Sequence, residues 1–146
     1  MPKIRYLAAS IYRRKSDGTV IVQPMARHPI GASADFGIPT EIMPQDFDRR
    51  IVPAVLNALQ KYHIQVFDPA LAKKFSDEEH AEFIREHDCV EVRLNEDNRV
   101  VRVVPCFPTE GGTASRKHHT ISFSEDDITE KLPGALRASF TALERG

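Results

Sequence analysis

The sequence predicts an α+β fold: an antiparallel or mixed sheet built from two β-hairpin-plus-helix units, helices packed mainly on one face, and a short acidic helix linking the units. Three observations carry this reading. Residues 4–23 and 89–107 each alternate in polarity around a turn containing acidic residues, as hairpins with one buried face do. Residues 51–62 and 128–143 space their apolar side chains three and four apart, the period of a helix with one buried stripe. Finally, Asp46 to Pro53 spans the same separation as Asp126 to Pro133, and the following "PAVLNA" and "PGALRA" share Pro, Leu and Ala at equivalent positions. This match reads as a weak internal duplication, or two copies of one strand–strand–helix unit.

In chain order, Ile4 to Arg14 form a strand, Asp17-Gly18 the hairpin turn, and "TVIVQPMARH" the returning strand. Pro24 has no N–H to give a ladder, which places that strand at an edge or gives it a bulge. "PIGASADFGIPTEIMP" is too rich in Pro and Gly for regular structure and reads as a surface loop, ending where Asp46 or Asp48 can cap a helix. Ile51, Val55, Leu59 and Tyr62, with Val52 and Leu56 alongside, then make one apolar helical face. Pro53 is tolerated in a first helical turn, so the helix is expected to start near Arg50. Ser76-x-x-Glu79 has the form of a capping box, and "DEEHAEFIREH" follows as a short helix, residues 77–87, resting on Phe83 and Ile84.

The second hairpin is the clearer one. Val90, Val92 and Leu94 face one way, Glu91 and Arg93 the other; Asp97-Asn98 makes the turn and the more apolar return strand is central. Residues 108–118 read as a polar, glycine-containing loop, and Thr120 to Phe123 as a short strand. Ser124 then caps a last helix that buries Ile128, Leu132, Leu136, Phe140 and Leu143.

Composition bounds the function. The chain has 146 residues, 41% of them apolar and 28% charged, which suits one globular domain spanning 1–146. A net charge of −1 provides no global field for nucleic acid or an anionic membrane, so neither is expected as a direct partner. The two cysteines, Cys89 and Cys106, lack C-x-x-C spacing and are too few for a disulfide framework, so a reducing cytoplasm is the expected compartment. No stretch has the length of a membrane span or the apolar run of a signal peptide.

Reactive motifs are missing. No zincin, P-loop, nucleophile-elbow or dinucleotide fingerprint occurs, and no cofactor is expected. His80 and His87 with Cys89 could be drawn as a metal site, but a seven-residue gap on a helix spans about 10 Å, so no metal is expected. "PTEGGTASRKHHTISF" gathers Ser115, His118 and His119 near Cys106, yet no helix follows the glycines to hold phosphate, and no third group is in view to orient a base. No catalytic residue is assigned. A small hydrolase-like enzyme built on residues 106–123 stays as one alternative, and a structural or assembly subunit as another.

Charge is uneven even though it nearly cancels. Asp77, Glu78, Glu79, Glu82, Glu86 and Asp88 form one acidic run, and Glu125, Asp126, Asp127 and Glu130 another. Acids in a first helical turn complement the helix dipole by about 0.3–1 kcal/mol each, so part of each run is ordinary helix chemistry. Glu82, Glu86 and Asp88 lie beyond that turn. An acidic surface of this kind suits a basic protein partner, whose association it would speed and select. The candidate partner-binding residues are therefore Glu78, Glu79, Glu82, Glu86, Asp88, Glu125, Asp126 and Asp127.

The segments "IVQPMARHPIGA", "GIPTEIMP", "VPAVLNAL", "AEFIREHDCVEVRL" and "PGALRASF", in this order, resemble the CdiI-type immunity proteins of bacterial contact-dependent growth inhibition systems. The resemblance implies a cytoplasmic protein that binds the C-terminal toxin domain delivered by neighbouring cells and inhibits it by occupation. Such toxins are commonly nucleases, often acting on tRNA. A nuclease carries basic surface for its substrate, which an acidic protein patch can occupy in place of phosphate.

Overall fold

The computed structural model of the chain describes residues 6–27, 33–64, 77–109, 112–115 and 119–145. Strands β1 (Tyr6–Arg14), β2 (Val20–Arg27), β3 (Ser33–Asp35) and β4 (Thr40–Ile42) lead through a 3-10 turn at Pro44–Asp46 into helix α1 (Phe47–Ile64). Helix α2 (Asp77–Glu86) runs directly into β5 (His87–Asn95). Strands β6 (Val100–Thr109), β7 (Gly112–Ser115) and β8 (Ile121–Ser124) then lead through a second 3-10 turn, Glu125–Asp127, into α3 (Ile128–Arg145).

Among the described residues all strand pairs are antiparallel, in one 8-stranded sheet with β1 and β5 side by side at its centre. Outward from them lie β2 and β6. Each of these is flanked on its far side by two short strands in series, β3 and β4 on β2, β7 and β8 on β6.

The halves repeat at a fixed offset of 81 residues. Ala9 pairs with Pro24 and Val90 with Pro105; Val20 pairs with Ile42 and Val101 with Phe123. Gly18 (φ +77°) donates its N–H to the Arg14 carbonyl, and Arg99 (φ +56°), 81 positions on, donates to that of Asn95, both at 2.9 Å. Ser10 pairs directly with Glu91, its own counterpart, so the local two-fold axis relating the halves passes between these residues. The duplication seen in sequence is thus present in the fold, but its register is 81 and not the 80 that aligned Pro53 with Pro133. Burial explains the difference: Ile51, Val55 and Leu59 are matched by Leu132, Leu136 and Phe140, all buried.

Helices α1 and α3 cover one face of the sheet, α1 over β1 and β2, α3 over β5 and β6. Between them and the sheet lies a core containing Ile11, Val22, Ile42, Val90, Val92, Val101 and Val103. Arg137, midway along α3, ties it to the start of α1, pairing with Asp48 and lying 4.8 Å over the Phe47 ring, while Arg13 of β1 lies 4.6 Å over Phe140 of α3. Such cation–π contacts keep the guanidinium groups partly wet while their ring partners are buried.

Several local expectations are corrected. Residues 33–35 and 40–42 are strands, so the first supposed loop contains the β3–β4 edge; likewise 112–115 form β7 within the second. Strand β2 is not an edge strand. The Pro24 carbonyl accepts from Phe36 N–H at 2.9 Å, on the outer side of β2. A strand residue's N–H and C=O point the same way, so the donor Pro24 lacks would also have pointed outward, to where β3 ends and β4 has not begun. Pro105 stands at the matching break between β8 and β7. Pro53 lies inside α1, which starts at Phe47 rather than near Arg50, and it is exposed. Asp46 and Asp48 form ion pairs with Arg49 and Arg137. Leu56 is 40% exposed instead of joining the apolar face. Ser124 caps the 3-10 turn that leads into α3 rather than α3 itself, its hydroxyl accepting from Asp126 N–H at 3.3 Å. The proposed capping residue Ser76 lies outside the described residues.

Candidate functional site

Helix α2 sits on the sheet face that α1 and α3 leave uncovered. Its apolar side is narrow. Phe83 stacks on His87 (centroids 4.0 Å apart, planes at 16°) and meets Tyr12 edge-on (4.9 Å, 84°), with Ile84 beside it. Phe83 also accepts, through its carbonyl, a 2.9 Å hydrogen bond with His87 Nδ1. The end of α2 is fixed to β1 by Lys15 N–H, which donates to the Glu86 carbonyl at 2.9 Å. His87 therefore belongs to the start of β5 and not to the helix carrying His80, and the described residues include no group of three or more His, Cys, Asp or Glu placed to hold a metal ion.

The outer side of α2 is acidic. Glu78, Glu82 and Glu86 follow one another at four-residue spacing and Glu79 lies beside them, all exposed. Like charges at that spacing oppose a helix by about 0.2–0.5 kcal/mol per pair. Among the described residues Glu78, Glu82 and Glu86 form no ion pair, so this helix keeps a charged stripe at some cost to its own stability.

The remaining candidates are placed differently. Asp88 is half-buried and faces Arg13 at 3.6 Å, and Arg13 also pairs with Glu144. Glu125 accepts from Arg99 Nε at 2.9 Å, and Asp127 faces Lys131 at 3.7 Å; Asp126 is exposed. Glu125 N–H donates to the Arg99 carbonyl just past the β5–β6 turn, whereas α2 lies before the start of β5. Nine strand residues of β5 separate those ends, on the order of 25–30 Å. The structure thus brings Glu78, Glu79, Glu82 and Glu86 together on one surface, and leaves Glu125, Asp126 and Asp127 as a second group at the far end of the sheet.

Under α2 lies a polar cluster that sequence reading did not assemble. Tyr12 Oη and Ser10 Oγ (3.0 Å) both donate to the Asp35 carboxylate. Burial first, and then the negative charge of Asp35, push the Tyr12 phenol far above its ordinary range. Beside it, Cys89 and Cys106 stand directly opposite each other on β5 and β6. Both cysteines line a cavity of about 20 Å³, room for one water molecule, together with Tyr12, Phe83 and His87. His87 Nε2 is buried without a partner among the described residues.

Of the residues gathered by the enzyme reading, Cys106 pairs across strands with Ser115, and the His119 ring packs on Phe107 at 5.2 Å. His118 lies outside the described residues. Cys106 gives its own hydrogen bond to the Val104 carbonyl at 3.7 Å.

No helix among the described residues is long and apolar enough to cross a membrane. No protein-family model matches the sequence, and no curated protein matches it. Among solved structures the chain is similar to the protein of unknown function NMB0488 from Neisseria meningitidis, with 12% identity and a TM-score of 0.70 over 97% of this chain and 98% of that one. It is similar also to a chain of the CdiA-CT/CdiI toxin and immunity complex from Yersinia pseudotuberculosis, with 10% identity and a TM-score of 0.64 over 94% and 97%. At such identities the likeness is one of fold, and over nearly its whole length this chain has a fold that also occurs in a toxin and immunity complex.

Proposed function

We propose that the chain is a CdiI-type immunity protein, acting in the cytoplasm, which binds the C-terminal toxin domain of its cognate contact-dependent growth inhibition effector and neutralises it without catalysis. The observation that carries this reading is the full-length likeness to a chain of a toxin and immunity complex. The acidic stripe on α2 favours the inhibitor's half of such a pair. A domain that cleaves nucleic acid has to present cations to its substrate, and four exposed carboxylates on one helix can meet those cations instead. In this reading the toxin is a nuclease, with tRNA among its candidate substrates, and α2 is the first contact.

Mixing the purified chain with the toxin domain encoded beside it tests the reading. A 1:1 complex that blocks the toxin's activity is expected. Two species eluting separately at micromolar concentration would refute it.

A further inference from the structure

The two cysteines, separated by a hairpin in sequence, are cross-strand neighbours in space. Directly opposed residues of an antiparallel pair have Cα atoms about 4.5–5.5 Å apart, inside the range that a disulfide spans. Their Cβ atoms are typically about 4.5–5.5 Å apart, slightly wider than a relaxed disulfide prefers. A bond there closes only as the two strands draw together locally and so keeps some strain, which is the property of disulfides that are readily reduced again. Both cysteines are free and half-buried.

We propose that Cys89 and Cys106 form a thiol–disulfide exchange site that takes a low-molecular-weight disulfide and closes reversibly to a cross-strand disulfide. Cys106 is the entry thiol. The adjacent Cys89 thiol, with Arg93 adding to the effect, favours ionisation of Cys106 at lower pH than usual, whereas Cys89 is pushed up by its neighbour and by burial. The Cys106 thiolate attacks one sulfur of the reagent, forming a mixed disulfide and expelling the other half as a thiolate. Cys89 then gives up its proton and attacks the Cys106 sulfur, releasing the second half as a thiol. One reagent disulfide is reduced to two thiols, and the protein loses two hydrogens. Phe83 and Ile84 of α2 wall the same cavity, so the bond closes directly beneath the acidic helix.

The test uses the intact, fully reduced chain with glutathione disulfide at mildly alkaline pH, followed by mass spectrometry. The expected product is a monomer lighter by two hydrogens, restored by dithiothreitol. Cys89→Ser is expected to stop at one glutathionyl adduct, and Cys106→Ser to react at least about tenfold more slowly than the wild type. A wild-type chain that accumulates the adduct and never loses two hydrogens overturns the proposal, and this readout needs no variant to fold. Equal rates for the two single variants overturn the assignment of Cys106 as entry thiol. Neither outcome depends on whether the chain binds a toxin.

Discussion

Reversing Glu82 and Glu86 to Lys separates what the acidic stripe does for binding from what it does for folding. In the wild type, Glu78/Glu82 and Glu82/Glu86 are like-charged pairs at four-residue spacing, and Glu86 is the last residue of α2, where the negative pole of the helix dipole disfavours an acid. The double variant removes both repulsive pairs and gives Glu78 an attractive lysine partner at position 82, in the favourable orientation. It also introduces one repulsion between the two new lysines, and places a cation at the helix end. With about 0.2–0.5 kcal/mol for each pair and about 0.3–1 kcal/mol at the terminus, the sum is a stabilisation of about 1 kcal/mol. Association should move the other way. Changing the stripe by four charge units removes electrostatic steering that raises on-rates by roughly 10–1,000-fold, so stopped-flow association with the toxin domain should slow at least about tenfold at low salt. Its salt dependence should flatten, since charges more than about 10 Å apart are already screened at 0.1 M. Urea denaturation reads the first effect. A variant that is less stable, or one whose association rate matches the wild type's at every salt concentration, would refute the reasoning and move the interface off α2.

Packing and backbone geometry set the remaining outcomes. Phe140→Ala should cost about 3–5 kcal/mol in urea denaturation, because the ring is buried and also carries the Arg13 guanidinium; a loss under 1 kcal/mol would mean that the core collapses to fill the space. Gly18→Ala should cost about 1 kcal/mol through its backbone, since the added Cβ would meet Pro44 Cγ at an ordinary 3.4 Å while φ stays at +77°. Arg99→Gly should stay within about 0.5 kcal/mol of wild type, the relief of a strained φ offsetting the lost exposed pair with Glu125. Tyr12 retains its proton in the folded state above its ordinary value of 10.0, whereas the unfolded chain releases it, so stability should fall as pH rises past 10 by up to about 1.4 kcal/mol per unit. Tyr12→Phe should flatten this alkaline slope, and equal slopes would show that other groups cause it.

The long elements were legible because period and turn chemistry act locally. Ile128, Leu132, Leu136 and Phe140 declare a helix wherever they are read, and Asp97-Asn98 declares a turn. Strands β3, β4 and β7 were hidden because three or four residues are too few to show alternation, and their pairing is imposed by the open outer sides of β2 and β6. The repeat register slipped by one because shared letters, Pro53 with Pro133, outweighed shared burial. In the candidate site, the helical spacing of Glu78, Glu82 and Glu86 put them on one surface directly from sequence. That Glu125 to Asp127 stand at the other end of the sheet depends on topology, which no local pattern carries. The cysteine pair was within reach: a turn centred on Asp97-Asn98 sets Cys89 opposite Cys106, but spacing rules search along the chain and not across a hairpin.

The self-pairing of Ser10 with Glu91 gives the architecture the geometry of a homodimer whose subunits have been joined end to end. Each half contributes a hairpin, a divided edge and one helix, and meets the other through strands related by the two-fold axis, as identical subunits do at an isologous interface. Joining them replaces a bimolecular encounter by one at an effective concentration in the millimolar range. It also frees each half from having to match the other. The junction between them carries one further helix, α2, and it is there that the molecule presents its stripe of like charge.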